Sequence, residues 1–360
     1  MTAMPTTHTF TVFDGHNDVL LSLYKGTRTF LERGPEGHID LPRAREGGLG
    51  GGFCAVFVPS APASPSGDPG IDAATALALH DDLARMPPTP ELGPAQQTAM
   101  AMMSTLFRLE RESQGQVKVV RDASEIEGCL EAGVFAALLH LEGAEAIDAD
   151  GDALEVFYRA GLRSIGPVWS RPNRFAEGVP FAFPGSPDTG AGLTEAGRDL
   201  VRACNRLGVV IDLSHLNERG FWEVATLSDA PLVATHSNAH ALAPSPRNLT
   251  DKQLDAIKDS GGMVGVNFHV GFLRADGQDD PDTSLDTVAR HVDYLVERLG
   301  IERVGFGSDF DGATMPRDIG DAAGLPRLIE ALRVRGYDDA ALRGLAHENW
   351  IRVLRRTFGS

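Results

Sequence analysis

At 360 residues, with 42% hydrophobic and 23% charged residues, the chain has the composition of an ordinary folded protein and the length of a (β/α)8 barrel, typically ~250 residues before insertions. A formal net charge of −17 repels phosphate backbones and anionic lipid surfaces, so nucleic acid and membrane are excluded as partners. Cys54, Cys129 and Cys204 are scattered and odd in number, the N-terminus MTAMPTTHTF lacks the features of a leader peptide, and no apolar run nears the ~20 residues that cross a bilayer, which together predict a cytoplasmic protein with reduced thiols.

Short apolar, β-branched runs mark eight strands, around residues 9–13, 52–58, 134–141, 162–168, 208–213, 231–235, 262–268 and 303–308. Helical stretches fall between most of them: 71–86 and 96–114 after the second, then 153–160, 194–207, 221–227, 250–260 and 283–299. Thr194 with Glu195, and Thr250 with Asp251, supply a cap and an acid at two helix starts. Closing helices are predicted over 325–334 and 338–358, the second amphipathic through Leu342, Leu345, Trp350, Val353 and Leu354. Strands alternating with helices predict a parallel closed sheet, a TIM barrel of the α/β class, with residues 1–360 forming a single catalytic domain. Two loops, 59–70 and 170–193, are rich in Pro, Gly and Ser and are expected at the functional face, the second as a roof over the site.

The chemistry sits where these strands stop. DGHND at 14–18 closes the first run and places His16 and Asp18 two apart, on one side of an extended segment. Later runs end at Glu142 (VFAALLHLEG), His215 (GVVIDLSH), His236 (PLVATHS) and Asp309 (RVGFGSDFDG). One His-x-Asp pair is a common accident of a solvated turn. Several strands that all end in such residues point instead to a site at the C-terminal mouth of a parallel barrel. A two-metal hydrolytic centre needs cations about 3.5–4 Å apart that share a carboxylate and a water made nucleophilic by their combined charge. His16 and Asp18 suit one cation, His215 and His236 the other, and Glu142 the bridge. The lysines Lys25, Lys118, Lys252 and Lys258 lie at no interior strand end, so a carbamylated lysine is not available for that role. Asp309 suits a proton carrier between the attacking water and a leaving amine. Asp311 is read as a loop residue.

DGHND, LEG at 141–143, DLSH at 212–215, THS at 235–237 and GSDFDG at 307–312 resemble the membrane dipeptidase (renal dipeptidase) family, peptidase family M19 of the amidohydrolase superfamily, across almost the whole chain. The resemblance implies a metal-dependent hydrolase barrel with two zinc ions on His16, Asp18, Glu142, His215 and His236, cleaving dipeptides with a hydroxide that bridges the metals. It also implies that Arg247, eleven residues beyond His236, binds the substrate's terminal carboxylate, for which a planar guanidinium is suited. Without the family, Arg247 would be read as a surface residue ahead of the helix at Thr250.

The chain departs from the family at the end of the fourth strand, where Trp169 replaces a histidine proposed to bind the substrate carbonyl. An indole offers one donor and transfers no proton. Arg171, Asn173 or Arg174 could supply the missing polar contact, or Trp169 could wall a differently shaped pocket. Two other readings therefore stay open: a related amidohydrolase acting on another amide or a lactone, and, from a different class, a non-catalytic metal-binding barrel, against which the intact Asp309 argues. His240 and His269 lie near site elements as candidate substrate contacts, and His140, two before Glu142 and on the same face, is read first as a packed residue, with support of the metal ligands the alternative. His8, His38, His80, His291 and His347 are read as surface or packed residues. The oligomeric state, a homodimer included, is not set by the sequence.

Overall fold

The computed structural model describes residues 10–26, 28–60 and 86–359. Among them, nine strands form: β1 (Val12–Asn17), β2 (Leu49–Phe57), β3 (Val117–Val120), β4 (Phe135–Glu142), β5 (Ser164–Gly166), β6 (Val210–Ile211), β7 (Val233–Ala234), β8 (Met263–Val266) and β9 (Val304–Phe306). All neighbours pair in parallel, in two arcs ordered β1-β2-β4-β5-β6 and β7-β8-β9. Single bridges close the ring, Asp212 with Val233 between β6 and β7, and Asn17 with Phe310 just beyond β9. The expected α/β TIM barrel results, and every C-terminal strand end opens on one mouth.

Each of the eight expected strands is present. The additional β3 pairs with Phe135 to Leu138 of β4, the half that precedes its pairing with β5 at His140 to Glu142. Its run VKVV is too short and too polar at Lys118 to stand out in sequence. The helix after it, Ala123–Ala132, was equally unmarked, although Asp122 caps it by accepting from the Glu125 N–H. The helices Leu92–Glu112, Asp152–Ala160, Glu195–Leu207, Glu218–Leu227, Asp251–Asp259, Leu285–Leu299 and Leu325–Val334 match expectation to within a few residues. The loop 59–70 and the helix 71–86 fall almost wholly on 61–85, outside the described residues. The helix expected over 338–358 is divided into Asp339–Arg343, a π turn Gly344–Glu348 and Asn349–Phe358. Just after that turn, Asn349 Nδ2 donates to the carbonyls of Ile301 and Val304, and Trp350 is fully buried with its indole N–H on Phe306 O at 3.0 Å.

Alternation along β4 explains how the barrel carries both a core and a site. Ala136 and Leu138 point into the interior cluster with Phe13, Phe53, Val210, Val233, Met263 and Trp350. Ala137, Leu139 and Leu141 point outward, into the layer beneath the helices. Continuing the inward set by twos gives His140 and then Glu142, at the mouth. Burying each of these leucines stabilises the fold by about 1.5–3 kcal/mol, so a one-residue slip would be strongly disfavoured. Among the described residues, no helix is long and apolar enough to cross a membrane.

Candidate metal centre

His16 lies on β1 where its pairing with β2 becomes irregular, between Asp14 and Asn17, the kind of distortion that re-aims side chains beside active sites. Asp14 pins this strand end across the barrel, its carboxylate accepting from the Ser308 N–H at 2.7 Å and hydroxyl at 2.6 Å. His215 and Asp309 both adopt left-handed backbone, with φ of 68° and 62°. Such conformations cost about 1–3 kcal/mol each and persist where the surroundings over-determine them, as at functional sites.

These strand ends bring the five expected ligands together. Glu142 Oε1 is 3.1 Å from His215 Nε2 and 3.7 Å from both His16 Nε2 and His236 Nε2. His16 Nε2 lies 3.4 Å from Asp18 Oδ2, and the Nε2 atoms of His215 and His236 are 3.1 Å apart. Of four groups of potential donors among the described residues, two share Glu142, namely His16 with Asp18 and Glu142, and Glu142 with His215 and His236; the others are His16 with His236 and Asp309, and His16 with His140 and Asp212. All five residues are buried.

The hydrogen-bond network around these donors fits divalent cations. Thr235 Oγ1 donates to Asp212 Oδ2 at 2.6 Å, so the same oxygen accepts from His236 Nδ1 at 2.8 Å, and His236 Nε2 presents a lone pair. Asp212 is itself held by the N–H groups of Ser214 and Thr235. Ser170 Oγ meets His215 Nδ1 at 2.8 Å and holds that ring in place. A lone pair aimed at a second imidazole and a carboxylate oxygen suits a cation among them. Both ring nitrogens of His16 are buried with no hydrogen-bond partner, although they are strong polar groups.

The electrostatics agree. Burial pushes the Glu142 and Asp18 carboxyls upward. Burial also holds His215 and His236 well below the usual histidine range, neutral and able to ligate. For His16 burial acts downward too, but Glu142, Asp18 and Asp309 outweigh it and raise the imidazole to about 10. A buried pocket this rich in carboxylates is stabilised by positive charge, which a divalent ion would supply. His140 is pushed down to about 3 by burial and contacts Ser164 Oγ through Nδ1 at 2.9 Å, beside Asp212 at 3.7 Å, so it is a neutral neighbour packed 5.4 Å from the His16 ring.

Asp309 stands within reach of His16 and His236, with its Oδ2 accepting from Asn267 Nδ2 at 2.8 Å. Arg247 is buried with Nη2 on His236 O at 3.3 Å, its guanidinium 5.2 Å from the Phe272 ring and its Nε without a partner. Burial lowers it only to about 10, so it keeps its charge at neutral pH. His269, neutral through burial, sits edge-on to the same Phe272 ring at 4.4 Å. Trp169 packs 5.8 Å from the His215 ring, between Phe57 and Phe181, and so walls the centre. Phe181 belongs to the 170–193 loop, whose Val179 N–H bonds His215 O, which agrees with the roof expected there.

Two of the candidates for the missing polar contact are already engaged within the protein. Asn173 Nδ2 donates to Pro167 O and Glu145 Oε1 while Oδ1 accepts from the Phe175 and Ala176 N–H groups, so its hydrogen-bonding capacity is taken up by backbone groups nearby and by Glu145. Arg171 is fully buried, bound to Glu145 at 2.9 Å, Ser60 Oγ and Val58 O. His240 contacts Gly185 O at 2.8 Å across two loops. Sequence reasoning missed Asp212, Thr235, Ser170 and Asn267. Asp212, Thr235 and Asn267 each directly follow a strand (β6, β7 and β8) and so carried the strand-end signal, whereas Ser170 sits in a loop without one.

The sequence profile described as "Membrane dipeptidase (Peptidase family M19)" matches residues 2–358. A crystal structure of a metallo peptidase from Rhodobacter sphaeroides, liganded with a phosphinate mimic of the dipeptide L-Ala-D-Ala, is 52% identical, superposes with a TM-score of 0.91, and covers 97% of this chain and 99% of its own. A structure described as the dipeptidase AC of family M19 is also 52% identical, with a TM-score of 0.91 and coverage of 98% and 100%. An uncharacterized protein encoded in the pqqA 5' region of Klebsiella pneumoniae is 54% identical over 256 residues, 71% of this chain and 94% of that protein. The chain, with paired donor sets at the mouth of its barrel, belongs to the membrane dipeptidase family, peptidase family M19, and is a metallopeptidase by that membership.

Proposed function

We propose that the chain, one catalytic barrel from residue 1 to 360, is a binuclear zinc dipeptidase. The observation that carries this reading is Glu142 Oε1, a single carboxylate oxygen close to His16, His215 and His236 at once and so part of both donor sets. His16, Asp18 and Glu142 would hold one cation, and Glu142, His215 and His236 the other. Bound as a pair, such cations acidify a shared water and polarise the scissile carbonyl. Asp309 takes the proton given up by the attacking water and returns it to the departing amine. Arg247 receives the substrate's C-terminal carboxylate, its charge and its unpartnered Nε already buried beside the centre. Trp169 and His269 bound the space between. The Rhodobacter relative's ligand mimics a dipeptide with a free carboxylate, which supports the same substrate class here. The three free cysteines are all buried, in keeping with the cytoplasmic location we assign.

Metal analysis of the purified protein should find about two divalent ions per chain, and exhaustive chelation should abolish dipeptide hydrolysis that added zinc restores. A single ion per fully active chain would remove the binuclear reading.

Arg247 tests the substrate. Removing one partner of a buried charged contact costs about 2–5 kcal/mol, so Arg247→Ala should lower kcat/KM for free dipeptides by about 30-fold to several thousand-fold. C-terminally amidated dipeptides, which lack the carboxylate, should already be poor substrates and should lose little more. Equal losses on both would favour a second reading, an amidohydrolase for another amide or a lactone, which the indole of Trp169 beside His215 keeps in view.

A further inference from the structure

Asp309 is held by a residue whose own orientation is dictated from behind. Asn267 follows β8 and is completely buried. Its Oδ1 accepts from the His269 backbone N–H at 2.7 Å. A backbone N–H only donates, so the oxygen of this amide must face His269 and the NH2 must face Asp309. That NH2 donates to Asp309 Oδ2 at 2.8 Å. The Asn267 backbone is gripped in turn by Asn238, whose Oδ1 accepts from Asn267 N at 3.1 Å while its Nδ2 donates to Asn267 O at 3.0 Å. Asp309 is fixed from the other side, its N–H donating to His16 O at 3.0 Å in a left-handed conformation. Gly312 keeps the opposite carboxylate oxygen accessible: a Cβ there would collide with Asp18 Oδ2 and come within 2.8 Å of Asp309 Oδ1.

We propose that Asn267, itself braced by Asn238, is the positioning residue for Asp309, tethering Oδ2 so that Oδ1 alone carries the proton between nucleophile and leaving amine. The inference rests on Asp309 as the proton carrier. A carboxylate held by one donor cannot swing its two oxygens through the site, and a reacting group displaced by about 1 Å loses about 10²-fold in rate. The Asn267 amide is engaged by Asp309 and by the His269 N–H, so its effect passes through Asp309 and falls on kcat.

The test uses metal-loaded enzyme and compares Asn267→Ala, Asn267→Asp, Asp309→Asn and the double variant Asn267→Asp/Asp309→Asn, reading kcat, KM, bound metal and Tm. Both Asn267 variants should lower kcat by about 10²-fold with KM little changed and metal content intact. Asn267→Asp keeps the shape but sets two carboxylates against each other, so its Tm should fall. In the double variant the amide and carboxylate have exchanged places and the hydrogen bond is restored. Its Tm should therefore recover while kcat stays at the level of Asp309→Asn alone, without further loss. Multiplying losses in kcat, loss of metal from the Asn267 variants, or wild-type kcat in Asn267→Ala beside an impaired Asp309→Asn would each overturn the positioning role. Wild-type kcat in Asp309→Asn would overturn the proton carrier and the positioning role with it.

Discussion

Glu142→Gln is expected to lose bound metal and turnover together. Its Oε1 lies within 3.7 Å of His16, His215 and His236 at once, and the side chain is buried. Glutamine has the same shape, so the core around β4 is undisturbed and the circular dichroism spectrum should match the wild type. Charge is what changes. A neutral amide cannot offset two divalent cations in a pocket screened from solvent, where electrostatic interactions are strong. Loss of a supporting partner outside the ligand shell already costs 10–100-fold in affinity in typical sites, so loss of a shared ligand should exceed about 100-fold. Metal analysis after dialysis, with steady-state rates at saturating zinc, reads both effects. Full occupancy with a normal rate would refute the centre as drawn.

Asp309→Asn should behave differently, keeping both metals while kcat falls by about 10²–10⁴-fold, the range supplied by a positioned general acid or base. Asp309 approaches His16 and His236, yet it is only partly buried and tethered to Asn267, as befits a group that exchanges a proton rather than one that closes a coordination shell. KM should change little, because the substrate's carboxylate is bound elsewhere, at Arg247. Metal loss in this variant would move Asp309 into the ligand set and leave the proton without a carrier.

Much of the centre was legible as a rule about strand ends. The run FAALLHLE names Glu142 because alternation by twos carries the inward face from Ala136 through Leu138 and His140 to the mouth. The same logic marks His236 after β7 and Asp309 after β9, and parallel pairing then delivers every such end to one side. Asn267 satisfies the rule as well, but its amide has no ligand chemistry to draw the eye. Sequence could not show which partners Asn173 and Arg171 would take. They are polar and close to Trp169 in sequence, yet Arg171 pairs with Glu145 and Val58 O, and Asn173 with Pro167 O and the Phe175 N–H, since a buried group left unsatisfied costs about 1–3 kcal/mol.

Sequence by itself determined the class of the fold and which residue types stand at the mouth, because strand periodicity and parallel connection are local and topological properties that survive without coordinates. Only the tertiary structure decided what those residues do to one another. The Thr235 hydroxyl commits its proton to Asp212 and thereby selects the tautomer of His236, and Ser308 fastens Asp14 across 294 positions of chain. Glu142 reaches three histidines from three other strand ends within 3.7 Å. Hydrogen bonds and shared ligation depend on distances of a few tenths of an ångström and on which lone pair faces which proton. Those are set by the closure of the barrel, by the left-handed turns at His215 and Asp309, and by the packing of loops that carry no periodic signal.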